Sequence, residues 1–287
     1  MTGPAIFVVA TPIGNLDDMT LRAIAVLKDC DLVAAEDTRR TMKLFAHFGI
    51  HRKELVSYQD HGEEARAKSL LSRVERDGLK LALVTDAGTP CIADPGYRLV
   101  SLARERGIPV HPVPGASALT ALVSVAGLPS DRFLFVGFLP VKDKARRDEM
   151  ANWAGLSASI VFYEAPRRLK KTLELLGELY VGARLAIGRE LTKLHEEIVS
   201  TDVVGALAWA EAHESMKGEA VIMVDLRPAS ASGALDEATN AEASLRTEAA
   251  RLFAQGATLK DALTRFRDRG VPRPRLYQLL LEVKKDV

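Results

Sequence analysis

The sequence predicts an α/β protein with two α/β domains, followed by a small helical extension at its C-terminal end. Three observations carry that expectation. Short apolar runs alternate with stretches whose apolar residues recur at helical spacing. The runs end in Gly/Pro-rich loops, as strands of a parallel βαβ series do where ligands bind. The chain has 287 residues, too long for one typical small domain and suggestive of about two.

The elements follow in order. Ile6 to Ala10 is a short apolar run closed by Thr-Pro, and Met19 to Leu27 has helical spacing, so the chain begins strand, loop, helix. Leu32 to Ala35 gives a second strand, Thr41 to Phe48 a helix and Leu55 to Tyr58 a third strand. Glu63 to Arg76 is a polar amphipathic helix, Leu81 to Val84 a buried strand, Tyr97 to Arg106 a helix and Pro109 to Val113 a fifth strand. Pro114-Gly115 punctuates entry into the helix Ala118 to Ala126, and the domain hinge is placed there. A second series follows, with strands at Phe133 to Phe138, Ser159 to Tyr163, Arg184 to Gly188 and Glu219 to Leu226. Its helices are Lys144 to Ala154, Pro166 to Tyr180 and Val203 to Glu214. Pro228 to Asn240 is Ala/Ser-rich and weakly patterned, a linker to helices at about Ala241 to Gln255, Thr258 to Asp268 and Arg273 to Lys284. The expected domains are therefore 1–116, 117–228 and the 229–287 linker and tail.

Composition removes several function classes. Hydrophobic residues make up 47% and charged residues 27%, the balance of a globular chain rather than a disordered one. The longest apolar runs, such as Ile6 to Ala10 and Leu119 to Ala126, fall well short of the roughly 20 residues that cross a bilayer. Met1 to Pro4 lacks a basic n-region, so the expected address is cytoplasmic. Cys30 and Cys91 are the two cysteines, with no CxxC and no nearby His at ligand spacing, so neither a disulfide framework nor a metal site is expected, and Cys30 reads as core. His47, His51, His61, His111, His195 and His213 form no ligand or triad pattern. The net charge of +1 is unevenly distributed: Ser244 to Val287 carries ten basic and five acidic residues, leaving 29 basic and 33 acidic in the rest. A basic tail on a mildly acidic body suggests an anionic macromolecular partner.

The ligand site is expected in three loops, Thr11 to Asn15, Thr85 to Gly96 and Pro112 to Ser117. The first stands where a dinucleotide-binding enzyme carries GxGxxG. Here Pro12 and a single Gly14 do not make the amide cradle a pyrophosphate needs, so NAD and ATP lose support. The alternative there is a plain βα turn. The second loop puts two Gly, two Pro and two Asp directly after a buried strand, where backbone can approach a ligand and carboxylates can face it. In the third, Ser117 is placed to cap the following helix, a role compatible with lining a cleft.

Three segments, Val9-Ala10-Thr11-Pro12-Ile13-Gly14-Asn15-Leu16, Ala34-Ala35-Glu36-Asp37-Thr38-Arg39 and Thr85-Asp86-Ala87-Gly88-Thr89-Pro90, resemble the tetrapyrrole methylase superfamily, and within it the branch that methylates ribosomal RNA. Phe138-Leu139-Pro140, Phe162-Tyr163-Glu164-Ala165-Pro166 and Arg189-Glu190-Leu191-Thr192-Lys193 with Glu196-Glu197 extend the resemblance from about Ile6 to Leu226. The resemblance implies two α/β domains with an S-adenosylmethionine cleft between them. It further implies 2′-O-methylation of a cytidine in the decoding region of small-subunit (16S) ribosomal RNA, with that RNA or the assembling 30S subunit as partner, and a homodimer. The cofactor-lining residues it implies are Pro12, Asp86, Ala87, Gly88, Thr89, Ile92, Ser117, Ala118, Tyr163 and Glu164. The first loop departs from the glycine-repeat loop of tetrapyrrole-modifying members, and Gly88-Thr89-Pro90 stands where they carry Gly-Asp-Pro, which argues against a porphyrin substrate.

A sulfonium methyl is already activated, so an enzyme using it has chiefly to align acceptor, methyl and sulfur, and no metal is required. A ribose hydroxyl is a poor nucleophile near neutral pH and gains from a group that accepts its proton. Glu36, Asp37 and Glu190, in polar clusters at strand ends, are the candidates. The other reading of Glu36-Asp37-Thr38-Arg39 is a solvated helix start, with acids favourably near its N-terminus. Arg39, Arg189 and Lys193 either pair with these carboxylates or contact phosphates. In the tail, Arg265, Arg267, Arg269, Arg273 and Arg275 with Tyr277 offer phosphate contacts and a stacking partner for RNA, against the alternative of a solvated face. Two other functions stay open: a methyltransferase on a small tetrapyrrole-like substrate, and a noncatalytic RNA-binding assembly factor.

Overall fold

The computed structural model describes residues 3–59, 63–213, 218–227, 245–246, 248–254, 257–266 and 273–285. They fall into two compact units, Met1–Leu226 and Arg227–Val287, and the first holds two five-stranded sheets.

The first sheet contains β1 (Ala5–Val9), β2 (Leu32–Ala35), β3 (Glu54–Ser57), β4 (Lys80–Val84) and β5 (Val110–Val113), in the order β3-β2-β4-β1-β5. All its pairings are parallel, as the alternating pattern predicts. β1, β2 and β4 are nearly continuous apolar runs because helices cover both faces of the sheet. Alternate residues feed two separate cores. Phe7, Val9, Val33, Ala35, Ala82 and Val84 pack with α1 (Leu21–Asp29) and α2 (Thr38–His47). Ile6, Leu32, Ala34, Leu81 and Leu83 pack with α3 (Glu63–Asp77) and α4 (Tyr97–Glu105). Cys30 lies in the first of these cores, and burial pushes its thiol up to about 11, so it is an inert packing residue.

The second sheet contains β6 (Phe133–Phe138), β7 (Ser159–Glu164), β8 (Arg184–Arg189), β9 (Glu197–Asp202) and β10 (Ala220–Asp225), ordered β6-β7-β10-β8-β9. Only β6 and β7 run parallel; the other pairings are antiparallel, so the second α/β series does not repeat the first. β9 was not among the expected strands. It is an edge strand of sequence EIVSTD that alternates half-buried and exposed residues, too polar to stand out as an apolar run. One face of this sheet is covered by α6 (Asp143–Ala151), α7 (Pro166–Leu179) and α8 (Val203–Ala212), around Ile160, Phe162, Leu185, Ile187, Ile222 and Val224. The opposite face packs Val161, Ala186, Val221 and Met223 against α5 (Ala118–Val125) and Ile13 of the first loop. That face therefore looks toward the strand ends of the first sheet.

Helix starts follow local capping chemistry. Thr20, Asp37 and Asp202 accept from the N–H groups of Ala23, Arg39 and Gly205 at the starts of α1, α2 and α8. The second unit contains helical residues 248–254 (α9), α10 (Leu259–Arg265) and α11 (Arg273–Lys285), sharing a core of Leu245, Ala249, Phe253, Ala262, Phe266, Leu276, Leu279 and Leu280. Thr258 and Asp261 form a reciprocal capping box at α10. The expected linker, Pro228 to Asn240, lies outside the described residues. No helix among the described residues is long and apolar enough to cross a membrane.

Candidate active site

The loops at the carboxyl ends of the first sheet meet the α5 face of the second around a cavity of about 450 Å3. Its lining includes Asp86, Ala87, Gly88, Thr89 and Ile92 from the loop after β4, Ser117 and Ala118 at the start of α5, and Tyr163 and Glu164 at the end of β7. All the residues expected to line a cofactor are thus brought together except Pro12, which lines a neighbouring cavity.

The loops are tied to one another by backbone. Thr11 and Gly88 exchange N–H···O bonds of 2.8 and 3.0 Å, an isolated antiparallel bridge, while the Thr11 hydroxyl donates to the Thr85 carbonyl at 3.1 Å. Gly88 has φ of +85°, a left-handed conformation natural to glycine. Thr89 Oγ1 donates to the Ala116 carbonyl at 3.1 Å and joins the second loop to the third. Ser117 occupies the N-cap of α5 but makes no capping bond. Its hydroxyl instead interacts with Tyr163, whose phenol is raised by burial and partly drawn back by the Leu119 N–H and Ser117. A bulge in β6 sets Phe138 opposite Tyr163, and the two rings meet edge to face at 5.3 Å.

The candidate acids occupy different positions. Glu36 lines the cavity, and its Oε2 accepts the Asp86 N–H at 3.1 Å. Asp37 does not line it. Its carboxylate caps α2 and holds Arg39 through bonds of 2.8, 3.2 and 2.9 Å, and Arg39 keeps it ionised, with a pKa of about 2. Glu190 lines the cavity just after β8. It accepts from Lys193 Nζ at 2.9 Å and from the Glu219 N–H at 3.1 Å. Burial pushes the Glu190 carboxyl up, but Lys193, the Glu219 N–H and Arg189 outweigh it, so its pKa lies below the ordinary value. Glu164 is buried: Arg168, Thr172 Oγ1 and the Ala165 N–H all donate to its carboxylate, which makes it the anchor of α7.

Of the expected RNA contacts, Lys193 lines the cavity. Arg39 is 83% exposed and bound to Asp37, while Arg189 is held by Glu197 at 3.1 Å. Arg265 is exposed on α10; Arg267 and Arg269 lie outside the described residues, and Arg273 and Arg275 belong to the helical span of α11.

Sequence reasoning missed Arg40, Gly188, Gly218 and Glu219, all of which line the cavity, while Asp94 lines it from the expected second loop. Arg40 was legible in principle, one helical step beyond Arg39; Gly218 and Glu219 were not, because only the mixed sheet brings the start of β10 beside the end of β8. Strain also marks the place. Of the five non-glycine residues with left-handed φ among the described residues, Cys91, Ala93, Glu190 and Thr192 lie in two loops of this site.

The cavity suits an adenosyl cofactor with a cationic sulfonium. Its volume falls in the range of small-molecule sites. Glu36, Asp86, Asp94, Glu190 and Glu219 line it against the cations Arg40 and Lys193, an acceptor-rich lining suited to ribose hydroxyls and a positive sulfur and unsuited to a pyrophosphate. Tyr163, Phe138 and Ile92 offer apolar surface for an adenine.

Two α/β sheets facing each other across such a cleft are the frame of this class, and the chain belongs to the tetrapyrrole (corrin/porphyrin) methylases, whose family model matches residues 5–208. Its methyl donor is accordingly S-adenosylmethionine. Among the relatives, a ribosomal RNA small subunit methyltransferase I from Synechocystis sp. is 41% identical over 286 residues, covering 98% of this chain and 99% of its own. Its Vibrio cholerae counterpart is 44% identical over 223 residues, 77% of each chain. Among solved structures, uroporphyrin-III C-methyl transferase from Thermus thermophilus complexed with S-adenyl homocysteine matches at a TM-score of 0.52 and 18% identity, covering 77% of this chain and 97% of that one. That likeness concerns the fold.

Proposed function

We propose that the chain transfers a methyl group from S-adenosylmethionine to the 2′-hydroxyl of a cytidine ribose in the decoding region of small-subunit ribosomal RNA, acting in the cytoplasm as a homodimer on that RNA or on the assembling 30S subunit. The observation that carries this reading is the extent of similarity. The Synechocystis relative, named for ribosomal RNA, is 41% identical over 98% of the chain, tail included, whereas the uroporphyrin-III C-methyl transferase structure is 18% identical over 77% of it. The same observation weighs against a small tetrapyrrole acceptor.

S-adenosylmethionine supplies an activated methyl on sulfur. The chain's residues do the rest by position. Asp86, Gly88, Thr89, Ser117 and Tyr163 form the walls that hold the donor. Of the three candidate acids, Glu36 and Glu190 line the cavity and are the groups assigned to accept the hydroxyl proton, while Asp37 serves as helix cap. Lys193 keeps Glu190 ionised and in place. Arg265, Arg267, Arg273 and Arg275 of the basic tail supply phosphate contacts.

Incubation with isotopically labelled S-adenosylmethionine, followed by mass spectrometry of small-subunit RNA, tests the reading. A single cytidine carrying a ribose methyl is expected. Label on a base, or tight RNA binding with no transfer, overturns it.

A further inference from the structure

A second cavity of about 330 Å3 adjoins the first and shares Ile13, Arg40, Asp86, Ala87, Lys193 and Glu219 with it. Its charge is opposite in balance. Arg40, Lys43 and Lys193 line it against Asp86 and Glu219, whereas carboxylates dominate the first. Cations outnumber carboxylates three to two in the second cavity, so a phosphate meets less repulsion there than in the first.

Its wall is the α2 face bearing Arg40, Thr41, Lys43 and Leu44, which helical spacing groups on one side. Arg40 reaches across to Asp86 Oδ2 at 3.2 Å, directly on the shared boundary. Lys43 is exposed and makes no ion pair or side-chain hydrogen bond among the described residues. Arg39, one step round the helix, is turned away onto Asp37. Opposite α2 stands the first loop, closely packed on the Lys193 segment: a Cβ on Gly14 would come within 2.3 Å of Lys193 Cγ, and the Asn15 N–H donates to Thr192 Oγ1 at 3.1 Å. Lys193 is thereby held between the two cavities.

We infer that this second cavity is the phosphate subsite of the acceptor strand, where Arg40, Lys43 and Lys193 grip a phosphodiester beside the nucleotide being methylated. The inference rests on the RNA reading above and adds what admits the RNA. The strand enters over α2, its phosphate stops at the three cations, and the attached ribose reaches the shared wall next to Glu36 and Glu190. Selectivity for a polyanion over a small neutral acceptor then arises at α2, apart from the cofactor walls.

The test compares Lys43→Glu with Lys144→Glu in the full chain. Lys144 is exposed on α6, which covers the opposite face of the second sheet, so both variants change net charge equally. Binding of a fluorescent single-stranded oligoribonucleotide is followed by anisotropy over a salt series, and S-adenosylmethionine binding by calorimetry. Lys43→Glu is expected to weaken RNA binding about ten-fold or more and to reduce the slope of log K against log salt by about 1, with cofactor affinity unchanged. Lys144→Glu is expected to change RNA binding by less than about two-fold. Equal losses in the two variants, or an unchanged slope in Lys43→Glu, overturn the subsite. The methylation assay separates the two readings. Wild-type transfer to ribosomal RNA with an unaltered KM in Lys43→Glu sinks the subsite and keeps the function; Lys43-dependent RNA binding without any transfer keeps the subsite and sinks the function.

Discussion

Glu190 sits in left-handed backbone, with φ of 50°, while its carboxylate is held by Lys193 and the start of β10. A non-glycine residue in that conformation costs about 1–3 kcal/mol, which the surrounding contacts must offset. Replacing it by Gln keeps the shape and removes the charge. If Glu190 accepts the hydroxyl proton, Glu190→Gln lowers the methyl-transfer rate by about 100-fold or more with little change in cofactor affinity; a loss under ten-fold in single-turnover kinetics would assign the task to Glu36. The pH dependence follows from the two partners. Glu190 titrates below its ordinary 4.5, so the lock's contribution is complete above that value and is lost as pH falls through the lower folded value. Lys193 is raised above its ordinary 10.5, because Glu190 and Glu219 outweigh the opposing effect of burial, so its contribution is complete below that value and lost only as pH rises beyond it. The Tm gap between wild type and Glu190→Gln should therefore be constant from about pH 6 to 9 and shrink below about pH 4.5. A gap that persists in acid contradicts the lock. Glu190 was readable as a candidate from its place after an apolar run; its partner Glu219 was not, since 29 residues separate them and only the sheet joins them.

The elements show where the sequence was informative. Apolar runs with a helix after each specify the first sheet, because a parallel sheet covered on both faces leaves a continuous apolar signature. The second sheet uses an edge strand whose alternation is short and polar, and its strand order depends on pairings that no local pattern encodes. The loops were legible as cavity walls, while the ties among their side chains were not: Glu164, at the end of β7, lines the cavity and also anchors α7. Glu164 has a fully buried carboxylate and Arg168 is 16% exposed, so Glu164→Ala leaves a nearly buried guanidinium unpaired. A loss of about 3–5 kcal/mol is expected from denaturant unfolding. Glu164→Gln, which can still accept from Thr172, should recover part of it. If Ala is tolerated at under about 1 kcal/mol, the anchor role is wrong.

At the scale of the whole molecule, the chain is one compact unit carrying the cleft and a second with its own apolar core. Removal of residues 228–287 is expected to leave S-adenosylmethionine binding within about two-fold while RNA methylation falls by about ten-fold or more, through lost phosphate contacts. Unchanged methylation by the truncated chain would show that the tail does not recruit RNA. The strand order of the first sheet has a further consequence, which concerns synthesis. β1 lies between β4 and β5, and Ala5 finds its partner in Lys80. Emerging at the ribosome at 5–20 residues per second, the Ala5–Val9 segment therefore waits about 4–15 s for β4 to be made. During that interval one of the most apolar strands of the protein has no sheet to join. β2 and β3 can pair with each other meanwhile, but the centre of the sheet closes only when the loop after β4, the same loop that lines the cofactor cavity, is about to appear.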